Sequence, residues 1–393
     1  MRSVSLKSEQ FTESVIRGMT RLCEQHGGIN LAQGFPDFPA PMELKDAAKR
    51  AIDDEFNQYA VTWGVREFRA AIAAKMKHYN RVPCDPETEV TVTCGSTEAM
   101  IATLLAVVNP GDEIVIFEPF YENYGPDAIM SGATPRYVTL RPPDFTFDPA
   151  ELRAACGPRT KAIIVNTPHN PSGHVFGRVE LETIAAVCRE FDCLAITDEI
   201  YEYVTYDGRE HVSLASLPDM RERTITISGL SKTYSVTGWR LAYAIASPAP
   251  TTAIRKMHDF LTVGAPHPLQ WAGVSALGLP AGYYRDLAAH YATRRAVLAE
   301  ALTAAGFRIH VPEGAYYILA DIGEIAGVTM MSDVAFCEWL IRDVGVAAVP
   351  GSSFYRDGER GRRLIRFAFC KREDTLRAAA ERLARVPDLL RLR

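Results

Sequence analysis

The residues best suited to chemistry lie between Ser228 and Arg240, in the stretch Ser-Gly-Leu-Ser-Lys-Thr-Tyr-Ser-Val-Thr-Gly-Trp-Arg that follows the β-rich run Thr224 to Ile227. Lys232 is its centre. A flexible, strongly hydrated ammonium just past a buried strand is a poor structural choice, and a lone lysine there would be read as a solvated loop residue. The neighbours argue for a chemical role. Gly229 and Gly238 let the backbone bend closely round a ligand. Ser228, Ser231 and Thr233 can donate to anionic oxygens, and Arg240 offers the planar fork that suits a phosphate. A reactive amine beside a phosphate site points to pyridoxal phosphate.

The run from Gly229 to Ala242 resembles the pyridoxal-phosphate attachment signature of the class I/II aminotransferases of fold type I, a pattern that restricts many positions at once. The resemblance implies that Lys232 forms a Schiff base with the cofactor aldehyde and that Arg240 holds its phosphate. Many members carry a serine three residues before the lysine, where this chain has Gly229. Ser228 and Ser231 are therefore both candidates for the phosphate contact.

The elements that must position this lysine are read along the chain. Phe11 to Cys23 has a weak helical periodicity and ends in glycines. The segment Gln33-Gly34-Phe35-Pro36-Asp37-Phe38 is by itself a turn. It also resembles a segment of kynurenine- and methionine-type aminotransferases, in which the glycine backbone lies against the substrate carboxylate, which implicates Gly34. After a helical stretch from Met42 to Phe56, Tyr59 reads as a half-buried tyrosine at a helix end. The resemblance gives it another role, crossing a homodimer interface to the partner's cofactor phosphate.

Val90 to Thr93 reads as a strand that leads through Cys94-Gly95-Ser96-Thr97 into an apolar helix from Met100 to Val108. A glycine turn opening a helix presents free N–H groups to an anion, and the resemblance makes Gly95, Ser96 and Thr97 a second phosphate contact. Strand Ile114 to Phe117 runs into Glu118-Pro119-Phe120-Tyr121. An aromatic residue there is a core candidate, and the resemblance places Tyr121 against the cofactor ring, a contact that contributes about 1 kcal/mol beyond its buried area. Strand Lys161 to Asn166 ends at Asn170-Pro171-Ser172-Gly173, a turn whose asparagine the resemblance assigns to the cofactor's phenolic oxygen.

Following a helix from Glu180 to Glu190, strand Leu194 to Thr197 delivers Asp198 and Tyr201. A carboxylate at the end of a buried strand is rarely left unpaired. The resemblance sets Asp198 against the pyridine nitrogen and Tyr201 beside Asn170 at the phenolic oxygen. An anion at that nitrogen keeps it protonated, so that the ring can accept electrons. Lys256 to Leu277 reads as helix-rich, interrupted at Ala265-Pro266-His267-Pro268. From about Ala281 come a helix, strands Phe307 to Val311 and Tyr316 to Leu319, and further helices. On the alternating strand Arg363 to Phe369, Arg366 falls on the face opposite Ile365 and Phe367. Such an arginine is ordinarily a surface residue; the resemblance makes it the clamp for the substrate α-carboxylate.

At 393 residues with 47% hydrophobic composition, the chain can build one large α/β domain and a smaller one. Its net charge of −5 leaves no basic footprint for nucleic acid and no polybasic motif for anionic lipid. No apolar run approaches the roughly 20 residues that span a bilayer. Eight cysteines lack paired spacing, and the first residues form no apolar signal core, which reads as a cytoplasmic protein with reduced thiols.

The candidate residues Gly95, Tyr121, Asn170, Asp198 and Lys232 all follow strand C-terminal ends, where mainly parallel sheets bind ligands. That placement fits a mainly parallel α/β sheet, and the resemblance, which covers nearly the whole chain, implies fold type I. Residues 1–40 would join a small α+β domain, 41–280 would form the large cofactor domain with its mainly parallel, seven-stranded-type sheet, and 281–393 would form the rest of the small domain. The expected activity is ping-pong amino transfer from an L-amino acid of aromatic or methionine-like type to a 2-oxo acid, with no metal. β-Elimination, decarboxylation or oxidase-type chemistry on the same scaffold is the alternative. A transcription regulator with such an effector domain would need a DNA-binding extension, for which a fold beginning near residue 30 leaves no room. No second arginine stands out as a clamp for a side-chain carboxylate.

Overall fold

The computed structural model describes residues 4–325, 328 and 331–392. A two-residue strand, β1 (Ile29–Asn30), precedes seven strands that build one sheet: β2 (Val90–Thr93), β3 (Glu113–Glu118), β4 (Thr134–Thr139), β5 (Thr160–Asn166), β6 (Leu194–Asp198), β7 (Thr224–Gly229) and β8 (Ala242–Ile245). Their spatial order is β2-β8-β7-β6-β5-β3-β4. The β7-β6-β5-β3-β4 ladders are parallel, while β8 runs antiparallel to both its neighbours.

Strands buried on both faces read as continuous apolar runs, and β3 shows why. Ile114 and Ile116 enter the cluster that holds Ala99, Met100 and Ile254 from helices Ser96–Val107 and Pro248–Thr262. Val115 and Phe117 point the other way, toward Leu181, Ile184 and Cys188 of helix Arg178–Glu190. Alternation across the pleat thus welds helical layers to both sides of the sheet.

The rest of the chain supplies β9 (Arg308–Ile309), β10 (Tyr317–Asp321), β11 (Val346–Ala347), β12 (Val349–Pro350) and β13 (Leu364–Ala368). Strands β12-β13-β10-β9 make an antiparallel sheet, packed by Leu298 and Leu302 of the long helix Ala281–Ala304. Strand β1 pairs in parallel with β11, Ile29 opposite Val346, which ties the N-terminal segment to C-terminal residues.

Several boundaries shift from the sequence expectation for local reasons. The first helix is Val15–Gln25, because the Ser14 hydroxyl caps it by accepting from Arg17 N–H. The second is Met42–Asp53, closing before Glu55 at φ +64°. Strand β9 keeps only Arg308–Ile309 of the expected Phe307 to Val311. Arg366 is no surface residue: β13 lies between β10 and β12, both its faces are covered, and Arg366 is 1% exposed.

Candidate functional site

A cavity of about 620 Å³ opens at the C-terminal ends of the parallel strands. That volume lies in the range of small-molecule sites. Strand β7 and the turn after it bring Ser231 and Lys232 to its wall. The Lys232 ammonium donates to the Gly34 carbonyl at 3.2 Å and lies 5.9 and 5.8 Å from the Tyr201 and Tyr316 ring centres. Burial, reinforced by Arg240 and Arg366, pulls its pKa down to about 8 against the opposing pull of Cys370 and Asp198.

Asp198 ends β6 on the same wall. It accepts from the Tyr124 hydroxyl at 2.7 Å and from Ile200 N–H at 3.3 Å. Burial nevertheless holds its carboxyl above the ordinary value, since neither donor is a cation. Next to it on β5, Asn166 donates to the Asp198 carbonyl at 2.9 Å and accepts from Asn170 N–H at 2.8 Å, pinning the turn that presents Asn170. The Tyr201 hydroxyl pairs with that of Tyr317 at 3.0 Å. Tyr121 lines the cavity with its ring edge-on to Tyr124.

Arg366 reaches in from β13. Its Nη1 donates to the Asn170 side chain and its Nη2 to the Ala32 carbonyl, each at 2.8 Å, while its buried Nε has no partner. At the opposite end, Gly95 sits at φ +86°, where a β-carbon would collide with the Arg240 guanidinium. Only a bare backbone lets that guanidinium close over the first turn of helix Ser96–Val107, whose Ser96 and Thr97 line the cavity with Arg240 and Ser231. Gly34 is comparably constrained, since a β-carbon there would strike the Tyr317 ring and hydroxyl.

Two candidates are not on this wall. The Ser228 hydroxyl donates to Glu202 Oε1 at 2.6 Å, inside a buried group that includes Lys75, and it does not line the cavity; the pleat turns it away while Ser231, beyond the strand, faces in. Tyr59 is 86% exposed and also lies off the cavity of its own chain.

Sequence reasoning missed Tyr124, Asn166 and Tyr317. Tyr124 opens helix Tyr124–Ser131 three residues after Tyr121, so helical spacing was the available signal that both reach one side. Asn166 carried one in standing four residues before Asn170 at a strand end. Tyr317 carried none, because its hydroxyl meets Tyr201 only through the fold.

The sequence profile described as "Aminotransferase class I and II" matches residues 26–383. The chain belongs to the class I and II aminotransferases. It is 38% identical over 378 residues to the methionine aminotransferase of Escherichia coli (strain K12), with 96% of this chain and 97% of that one covered. It is 33% identical over 393 residues to human kynurenine–oxoglutarate transaminase 1, with 92% and 93% covered. The solved N-succinyldiaminopimelate aminotransferase of Mycobacterium tuberculosis superposes with a TM-score of 0.94 at 38% identity, over 98% of this chain and all of that one.

This aminotransferase is a pyridoxal-phosphate-dependent enzyme of fold type I. The residues present fit that cofactor. A lysine with a depressed pKa, a buried carboxyl with no cation in hydrogen-bond contact, and an arginine closing over a helix N-terminus match its aldehyde, ring nitrogen and phosphate. No helix among the described residues is long and apolar enough to cross a membrane.

Proposed function

We propose that this aminotransferase takes the amino group of an L-amino acid of methionine-like or aromatic type and passes it to a 2-oxo acid in two half-reactions. One observation carries this reading: the Lys232 amine and the Arg366 guanidinium converge on one short segment, bonding Gly34 and Ala32 respectively. An amine and a carboxylate clamp so placed suit a substrate that carries both partners on one carbon. The methionine- and kynurenine-directed relatives support the choice of side chain.

Pyridoxal phosphate, when bound, supplies the aldehyde that exchanges amino groups and the ring that takes up electrons from Cα. Lys232 would hold it and, once free and largely neutral above about pH 8, take the Cα proton and return it on the other side of the transfer. Arg366, with Gly34 alongside, would grip the α-carboxylate so that Cα–H, not Cα–carboxylate, stands ready to break. Its unpartnered Nε supports that role. Asp198, steadied by Tyr124, would face the ring nitrogen, and Asn170 and Tyr201 the phenolic oxygen. Tyr121 would stack on the ring, and Ser96, Thr97, Ser231 and Arg240, with the Gly95 backbone, would hold the phosphate.

Tyr59 would complete a partner's site in a homodimer. Its 86% exposure, unusual for a tyrosine, supports an interface that includes it. The division at about residues 40 and 280 is part of the same proposal, as is a cytoplasmic location, which eight free cysteines support. The test is a panel of single half-reactions. Stoichiometric pyridoxamine phosphate and oxo acid from methionine or an aromatic amino acid are expected. Release of ammonia, carbon dioxide or peroxide instead would assign the alternative chemistries.

A further inference from the structure

The helix Arg178–Glu190 ends in a turn that brings two thiols together. Asp192 takes φ +48°. Cys193 N–H donates to the Cys188 carbonyl at 3.0 Å and Asp192 N–H to that of Arg189 at 3.4 Å. These are the two bonds of a Schellman motif, in which a side chain just past the helix packs on one from its last turn. That contact commonly joins two apolar side chains, and here the pair is Cys188 and Cys193. A 3.0 Å bond between their backbones keeps the two Cα atoms within about 7 Å, inside the limit beyond which a disulfide needs the chain to move.

The side chains turn the same way. The Cys188 sulfur lies 3.9 Å from the carbonyl of Leu194, the residue after Cys193, and both thiols belong to one apolar cluster, against which half-buried Cys156 also packs. A hydrogen bond from the Cys188 thiol to the Cys193 sulfur raises the pKa of the first and lowers that of the second. The Arg223 guanidinium, which donates to both carbonyls at 3.4 and 3.3 Å, favours a Cys193 thiolate as well. The thiolate is the form that reacts with oxidants. Buried thiols are ordinarily inert, but this pair sits at a helix end, beside Asp192 with a side chain 92% exposed. Helix ends open locally at low cost. Cys193 also stands at the end of β6 opposite to Asp198, so amino transfer makes no use of the pair.

We propose that Cys188 and Cys193 form a modification site that closes reversibly to a disulfide when the enzyme meets a peroxide. Opening of the last helical turn brings Cys193 to the oxidant. Its sulfur attacks one peroxide oxygen, the O–O bond breaks, and hydroxide leaves a sulfenic acid behind. The Cys188 sulfur then gives up its proton and attacks the oxidised sulfur, breaking the S–O bond and releasing water. The two sulfurs lose two electrons in all, and one peroxide takes them up as two waters. A small thiol reverses the bridge by exchange.

The test treats the cofactor-loaded enzyme with a small excess of hydrogen peroxide, blocks remaining thiols with N-ethylmaleimide and digests with trypsin, which cuts at Arg189 between the two cysteines. The peptides Val179 to Arg189 and Glu190 to Arg209 should appear joined, lighter than their sum by two hydrogens, and should separate with dithiothreitol. Cys156, on the peptide Ala154 to Arg159, should carry the maleimide. In Cys188→Ala the Cys193 sulfenic acid should persist and take up dimedone, and Cys156→Ser should still close the bridge. Maleimide on both Cys188 and Cys193 after peroxide, or a bridge from Cys193 to Cys156 in their place, overturns the proposal.

Discussion

Asp127 gives the sharpest energetic prediction. It lies in the helix Tyr124–Ser131, lines the cavity, is 2% exposed, and its buried Oδ2 has no hydrogen-bond partner. Burial alone pushes its pKa from 3.8 up to about 7. The folded protein therefore prefers the proton that the unfolded chain has already released. The stability this contributes is complete below about pH 4 and is lost as pH rises through about 7. The gap from 3.8 to about 7, at about 1.4 kcal/mol per pH unit, amounts to about 4 kcal/mol. Of that, about 3 kcal/mol falls between about pH 5 and about pH 8.5, a window in which unfolding is conveniently measured. Asp127→Asn keeps the shape and removes the titration. Urea unfolding of both proteins across this window isolates the effect, since every other group cancels in the difference. The variant should gain about 3 kcal/mol relative to wild type on going from the acid to the alkaline end. A difference that stays flat with pH would refute the claim that this carboxyl is buried without a partner.

Other consequences follow from the same geometry. Tyr124→Phe removes the 2.7 Å donor from Asp198, and kcat/KM in either half-reaction should fall about tenfold or more, with an unchanged value counting against that contact. Gly95→Ala forces a β-carbon into Arg240 at a φ that L-residues avoid, so the Kd for pyridoxal phosphate in equilibrium dialysis should rise about tenfold or more. Because the Lys232 pKa lies near 8, the rate of reconstitution of cofactor-free protein should rise with pH and level off above that value. A profile flat from about pH 6 to about pH 9 would contradict the depressed pKa.

Much of the fold was legible because parallel strands buried on both faces leave unbroken apolar runs, as in Ala162 to Val165 and Leu194 to Ile196. The same property exposed the site, since Asn170, Asp198 and Lys232 each follow such a run where a polar residue would otherwise meet solvent. What stayed hidden depends on contacts between distant segments. The resemblance singled out Arg366, but its burial was not legible, because alternation cannot report that β10 and β12 flank its strand. Ser228 and Ser231 could not be told apart until Glu202 was found to take the hydroxyl of the former. Glu202 itself is ion-paired to Lys75 at 2.5 Å in the interior, a pairing of residues far apart in sequence.

The account stands most directly on Lys232 as the residue that holds the cofactor. Borohydride reduction of the cofactor-loaded enzyme followed by tryptic mapping tests it. The pyridoxyl group should appear on the peptide from Thr224 to Arg240, left uncut after Lys232. Its appearance on another buried lysine such as Lys75 or Lys371, or on none, would contradict the account.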